Sequence, residues 1–170
     1  LKGALDVEAL QHALDAIVSR HAVLRTVFRL KDGEAVQVVR QFEPVAIRRI
    51  DLTGLDEAAQ SEQVRALTAE EASQRFDLSW DLMLRCTLIA LAEQSHVVLF
   101  TMHHIASDGT SMSVLINEFV RLYEASRPGQ PDNGVLAPLP IQYTDFACWQ
   151  RESSHGGLLE KELSYWRTQL

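Results

Sequence analysis

The sequence predicts an α+β fold in which a mixed β-sheet is flanked by helices, and three observations support it. Two apolar stretches, 24–39 and 82–103, each contain a short polar link at which the chain can reverse, so each predicts a β-hairpin. Helical patterns precede, separate and follow these stretches. Because strands and helices do not alternate strictly, a mixed sheet is favoured over a purely parallel one.

The first helix is predicted to follow a short extended segment at residues 1–5. Asp6 is a suitable N-cap, and apolar residues recur after it at intervals of three and four. The positions that share this face are Val7, Leu10, Leu14, Ile17 and His21. Residues 24–30 then predict a strand, Asp32-Gly33 a tight turn, and residues 34–39 the partner strand.

The middle of the chain predicts an extended segment over 44–51 and then a helix over 55–76. That helix lacks Gly and Pro but has only a weak apolar stripe, so most of it should face solvent. Residues 82–90 and 96–103 predict the strongest strand pair. Both faces of its first strand are mostly apolar, which predicts cover on both sides. A helix over 110–126 follows, with Met112, Leu115, Phe119 and Leu122 on its buried side.

The domain organisation follows from composition. Residues 1–127 are predicted to form one lobe, since the 170-residue chain is long enough for a single core. Residues 128–140 hold four of the five prolines, which predicts a connector. Residues 141–170 predict two helices separated by Gly156-Gly157. The chain begins with Leu and has no signal-peptide pattern, so we expect it to be part of a longer polypeptide.

Charge and cysteine content exclude several function classes. A net charge of −7 gives no electrostatic support for a nucleic-acid partner. The longest apolar run, 97–100, is too short to span a membrane. Cys86 and Cys148 have no CxxC partner and are expected to be small buried hydrophobic residues. A reducing compartment, and hence a cytoplasmic location, is therefore expected.

The candidate site is the segment Met-His-His-Ile-Ala-Ser-Asp-Gly-Thr-Ser at residues 102–111. It places His103 and His104 at the end of an apolar strand and just before a helix. If the strand persists, their side chains point to opposite faces, so one can be structural while the other reaches a cavity. This alternation, and the lack of a third ligand nearby, argue against a metal site. A neutral imidazole near pH 7 can accept a proton from an amine or alcohol.

Asp108 and Gly109 complete this segment. Asp108 could orient an imidazole, or it could pair with an arginine and lock the loop. Gly109 permits close backbone approach, or a backbone angle that other residues avoid. The N-terminus of the following helix offers backbone amides to a developing oxyanion.

This segment resembles the HHxxxDG motif of the condensation domains of nonribosomal peptide synthetases and of their acyltransferase relatives. Residues 20–28 resemble the family's RHExLRTxF motif, with Ala22 where an acid is usual, and residues 143–150 resemble its YxDFAxWQ motif. Phe76-Asp77-Leu78 and Tyr165-Trp166 are also similar to family segments. The matches run in family order along the chain, although the family's first motif is absent.

The resemblance implies a chloramphenicol-acetyltransferase-like α/β sandwich lobe. The chain would be the N-terminal lobe of a condensation domain, with 141–170 leading toward a C-terminal lobe that it lacks. An acceptor amine would attack a donor thioester, both substrates being carried on phosphopantetheine arms with no cofactor bound directly. The implied partners are upstream and downstream peptidyl carrier domains, the C-terminal lobe and an adenylation domain.

The resemblance also assigns roles to the site residues. His104 would accept a proton from the amine or hold it in position, and His103 would be mainly structural. Asp108 would pair with an arginine, Arg25 being the first choice and Arg20 the second. Gly109 would line the tunnel beside the thioester.

Other functions remain open. An epimerization domain uses a similar histidine motif, and a free-standing acyltransferase acting on an alcohol is the less favoured enzyme. Heterocyclization is disfavoured because that branch replaces the two histidines by acids. A non-catalytic carrier-docking module that keeps the fold is the alternative from a different class.

Overall fold

The described residues form two separate sheets. A computed structural model describes residues 1–127, 136–155 and 158–170. These residues form two compact units, Leu1–Ala137 and Pro138–Leu170, each of which we describe by itself. Most of the predicted connector, residues 128–135, and the Gly156-Gly157 pair lie outside the described residues.

The first helix, α1, runs from Val7 to Arg20 as the sequence predicts. Asp6 is its N-cap, and the Asp6 carboxylate accepts a hydrogen bond of 2.9 Å from the backbone N–H of Ala9. The predicted apolar face is the one that the helix buries. Its buried members are Ala9, Leu10, Ala13, Leu14, Ile17 and Val18.

The first hairpin consists of β1 (Thr26–Lys31) and β2 (Glu34–Val39), which pair antiparallel. Asp32 and Gly33 have φ values of 54° and 84°, so the predicted turn is confirmed and requires the left-handed conformation that glycine adopts readily. The strand begins two residues later than predicted. The reason is a 3₁₀ turn over Ala22–Arg25, which carries the chain from α1 into β1.

The second sheet contains β3 (Ile47–Asp51), β4 (Leu84–Ala92) and β5 (Ser95–Met102). The central strand β4 pairs in parallel with β3 and antiparallel with β5, which confirms the predicted mixed sheet. The helix α2 (Glu57–Ser73) makes the crossover that a parallel pair needs. Glu71 is the one buried residue of α2, so this helix faces solvent as predicted.

The helix α3 (Gly109–Ser126) packs against α1 and completes the main core. Leu115 and Phe119 are buried as predicted, but Met112 is exposed. Met112 lies on the same face of α3 as Phe119 but in the first turn of the helix, where it is 38% exposed.

The second unit contains two helices that contact each other, α4 (Tyr143–His155) and α5 (Leu158–Gln169). Cys86 is buried in β4 as expected, whereas the expectation that Cys148 is buried is wrong: Cys148 is exposed on α4. Among the described residues, no helix combines the length and apolarity that a membrane crossing requires.

Candidate functional site

The two histidines lie in a turn immediately after β5, and not within the strand. The N–H of His103 donates to the carbonyl oxygen of Met83 at 3.1 Å, and the N–H of Ala106 donates back to the His103 carbonyl at 3.0 Å. The Ser107 hydroxyl donates to the same carbonyl at 3.1 Å. The chain therefore leaves the sheet at His103, and this turn, not strand alternation, sets the directions of the two imidazoles.

Two separate sequence segments meet at Met83. Its N–H donates to the carbonyl oxygen of Leu24 at 2.8 Å, while its own carbonyl accepts from His103. Met83 is completely buried. The segment 20–28 and the histidine turn are thus joined through one buried residue.

The imidazole of His103 is held on two sides. Its Nδ1 accepts a hydrogen bond of 3.0 Å from the N–H of Ile105, so the neutral ring carries its proton on Nε2. Its ring packs edge to face with the ring of Phe76, with centroids 5.5 Å apart. These contacts make His103 a fixed part of the turn.

His104 has a different environment. Its side chain is exposed, and it makes no hydrogen bond to any residue in the part of the chain that the structure describes. It lies at an open cleft that Arg75, Phe76 and His103 also line. His104 is thus the more exposed residue of the pair.

Asp108 is the N-cap of α3 and forms a capping box with Ser111. Its carboxylate accepts from the N–H and from the hydroxyl of Ser111, both at 2.8 Å. The hydrogen bond from the Ser111 N–H, followed by that from the Ser111 hydroxyl, lowers the pKa of Asp108 below its ordinary value. Because Asp108 occupies the Ser111 amide, that amide is not available to a substrate oxyanion.

The predicted ion pair between Asp108 and an arginine is wrong in this structure. Arg25 donates to the backbone carbonyl of Arg40, and its buried Nε has no hydrogen-bond partner among the described residues. Arg20 forms an ion pair with Glu118 at 3.2 Å and donates to the carbonyl of Ala137 at 2.7 Å. The physical reason is local, because the helix N-terminus offers Asp108 a neutral partner three residues away.

Gly109 is the first residue of α3, and no atom lies within 4 Å of where a Cβ would stand. Its φ is not positive, so the backbone-angle explanation of this glycine is wrong. The other explanation, close backbone approach, stays a prediction.

Sequence reasoning missed the role of Glu118. Its carboxylate lies 2.6 Å from Nε2 of His21, in addition to its ion pair with Arg20. His21 and Asp108 both line a cavity of about 270 Å³ between the end of α1 and the start of α3. The available signal was that Glu118 precedes buried Phe119 and is the one acidic residue among residues 109–118.

The site holds no cluster of metal ligands in the part of the chain described here, since no group of three or more His, Cys, Asp or Glu side chains converges. His103 and His104 border the same cleft, and they differ in that the His103 ring accepts a hydrogen bond from Ile105. The chemistry that this arrangement supports is that of an exposed imidazole on a rigid turn.

Comparison with known proteins identifies the family. The model of the Condensation domain matches residues 1–170. One of the subunits of linear gramicidin synthase from Brevibacillus parabrevis is 44% identical over 170 residues, which are 100% of this chain and 3% of that protein. Chondramide synthase of Chondromyces crocatus is 39% identical over 170 residues, which are 100% of this chain and 4% of that protein. The chain therefore corresponds to a small part of each of these relatives.

Solved structures agree with this result. The X-domain from teicoplanin biosynthesis has a TM-score of 0.86 and 34% identity, over 99% of this chain and 36% of that one. The complex of the X-domain and OxyB from teicoplanin biosynthesis has a TM-score of 0.83 and 34% identity. The match covers 98% of this chain and 36% of that chain. Since the family model covers the whole chain and the folds agree, the chain belongs to the condensation-domain family.

Proposed function

We propose that this chain takes part in peptide-bond formation during nonribosomal peptide synthesis, as the N-terminal lobe of a condensation domain. The amine nitrogen of an acceptor aminoacyl group attacks the thioester carbonyl carbon of a donor acyl or peptidyl group. The new C–N bond forms, the C–S bond breaks, and the proton lost by the amine ends on the departing thiol. The observation that carries the proposal is the exposed imidazole of His104, which projects from a rigid turn beside an open cleft.

His104 either accepts the proton of the attacking amine or holds that amine in position. Both roles need an imidazole without an internal partner, which its environment provides. His103 and Asp108 keep the turn and α3 in place through their contacts with Ile105 and Ser111. Gly109 leaves open space at the start of α3, through which the thioester can approach.

The substrates arrive on phosphopantetheine arms of upstream and downstream peptidyl carrier domains. The C-terminal lobe of the condensation domain and an adenylation domain are the other partners, and the reaction takes place in the cytoplasm. Residues 128–140 connect the lobe 1–127 to 141–170, which lead to the C-terminal lobe. The family membership and the similarity to part of a gramicidin synthase support this context.

The experiment uses the complete polypeptide that carries this chain. A donor carrier loaded with an acyl group is mixed with an aminoacyl-loaded acceptor carrier, and the mass of the acceptor carrier is followed. We expect wild type to add the donor mass and His104→Ala to lose most of this transfer. His12→Ala is the matched control, because His12 is also exposed but lies on the opposite side of α1 from its buried face. Equal transfer by His104→Ala and wild type would contradict the assignment.

A second candidate function is that of a binding module. One observation favours it, the 34% identity to an X-domain that was solved in complex with OxyB. A folded wild type that binds carriers or another protein without transferring an acyl group would support this candidate. Inversion of the acceptor's α-carbon without mass transfer would instead identify an epimerization domain.

A further inference from the structure

Arg85, on β4, caps the C-terminal end of α2 with its side chain. Its Nη2 donates to the carbonyl oxygens of Glu71 at 3.1 Å and Gln74 at 2.9 Å, and its Nη1 donates to that of Arg75 at 3.3 Å. An α-helix leaves its last carbonyls without donors of its own, so these groups need an external partner. The guanidinium supplies it and fixes the path of the chain as it leaves α2.

Arg85 is itself held in place by a buried acid. Its Nε lies 3.3 Å from Oε2 of Glu71, whose side chain is 6% exposed. The other carboxylate oxygen of Glu71 accepts from the hydroxyl of Thr87 at 2.9 Å. A buried carboxylate needs such partners, because an unpaired buried charge is costly. The guanidinium therefore has a defined position and orientation.

The flat face of Arg85 lies on the ring of Phe76, with the guanidinium carbon 3.9 Å from the ring centroid. Phe76 in turn packs edge to face with His103. The contacts thus run from Arg85 through Phe76 to His103, whose Nδ1 accepts from the N–H of Ile105 in the turn that carries His104.

We propose that Arg85 is a positioning residue for the histidine turn. It acts through Phe76, which it holds against the ring of His103, and so fixes the direction in which His104 projects. The planar fork of arginine suits this task, because it donates along its edge while its face stacks on an aromatic ring. The predicted loss of acyl transfer rests on the proposed function, whereas the predicted change at the His103 ring does not.

The test is Arg85→Lys in the complete polypeptide. Lysine keeps the positive charge beside Glu71 but lacks both the fork and the flat face. We expect the ¹⁵N NMR signals of the His103 ring to shift. We also expect kcat for acyl transfer to fall by about tenfold to a hundredfold with KM for the carriers unchanged, as for displaced catalytic groups. Phe76→Leu should produce the same two changes while leaving the contact between Arg85 and Glu71 in place.

Arg48→Lys is the matched control. Arg48 lies 3.5 Å from the same carboxylate of Glu71, but it has no contact with Phe76 or with the carbonyls that end α2. It should leave the His103 signals and kcat at wild-type values.

The proposal is overturned if Arg85→Lys lowers only the melting temperature, with the His103 signals and kcat equal to those of Arg48→Lys. It is also overturned if Phe76→Leu leaves the His103 signals unchanged. Shifted His103 signals in Arg85→Lys, in a protein whose wild type transfers no acyl group, would support the positioning role and reject the proposed function.

Discussion

The carboxylate of Glu118 lies 2.6 Å from Nε2 of His21 and also pairs with Arg20. This contact joins the middle of α3 to the last turn of α1 and the residue after it. The histidine turn leads directly into α3, which begins at Gly109. The contact therefore also holds the helix that follows the turn. The side chains of all three partners are more than three-quarters buried, so solvent screens the contact only partly.

Glu118→Ala is expected to lower the free energy of unfolding by about 1.5–3 kcal/mol, the range for hydrogen bonds to charged groups. Urea denaturation measures the change. Glu124→Ala is the control, since Glu124 is exposed on the same helix and the two substitutions change helix propensity equally. Equal midpoints for the two variants would show that the Glu118 contact adds no stability.

Asp108→Ala is expected to lower the melting temperature at pH 7, because α3 loses its N-cap. Asp108→Asn should retain most of the wild-type value, since asparagine also accepts from a helix N–H. If Asp108→Asn and Asp108→Ala melt together, the capping role is wrong.

The stabilising effect of Asp108 should also depend on pH. Its folded-state pKa is lowered from the ordinary value of 3.8, so its contribution is fully present above that value. The contribution is lost as the pH falls through the lower folded-state pKa. The difference in melting temperature between wild type and Asp108→Asn should therefore shrink as the pH is lowered below 3.8. A difference that grows in acid would contradict this sign.

The two cysteines should differ in their reactivity toward thiol reagents. Burial, with a smaller contribution from the nearby Glu71 carboxylate, raises the pKa of the Cys86 thiol to about 12, whereas Cys148 is exposed. Native protein treated with iodoacetamide at pH 8 should gain one label, and Cys148→Ser should gain none. Unfolding in urea should expose the second site. Rapid native labelling of Cys148→Ser would contradict the burial of Cys86.

Gly33 and Gly109 provide a matched pair of glycine substitutions. Gly33→Ala should lower the unfolding midpoint, because Gly33 has a φ of 84° that alanine rarely adopts. Gly109→Ala should leave the midpoint near wild type, since a Cβ there meets nothing within 4 Å. If a thioester passes Gly109, acyl transfer falls in Gly109→Ala alone. Unchanged transfer in that variant would remove Gly109 from the proposed substrate path.

The sequence was a good guide wherever a local pattern determines the structure. The Asp6 cap, the Asp32-Gly33 turn and the apolar faces of β4 follow from neighbouring residues, and the structure confirms all three. Contacts between distant segments were not predictable in the same way. Arg20 pairs with Glu118, and Arg25 donates to the carbonyl oxygen of Arg40. These partners depend on how distant segments pack, which the sequence of residues 20–28 does not indicate.

The histidine turn illustrates the same limit. Strand alternation predicted different directions for His103 and His104 only if the strand continued through both. β5 ends at Met102, because the carbonyl of His103 accepts from the N–H of Ala106 in a turn and not from a neighbouring strand. His104 is exposed, and both histidines border one cleft, so the prediction of opposite faces does not describe this turn.

The mixed sheet has a consequence for the order of folding. The antiparallel strands β4 and β5 are joined by the short link Glu93-Gln94, so their contacts form at a small entropic cost. The parallel partner β3 pairs with β4 only after the chain closes a loop that contains all of α2. Contacts of this high sequence separation form slowly. We therefore expect the β4–β5 hairpin to form before β3 docks on it. Substitutions in β3 should act mainly on the unfolding rate.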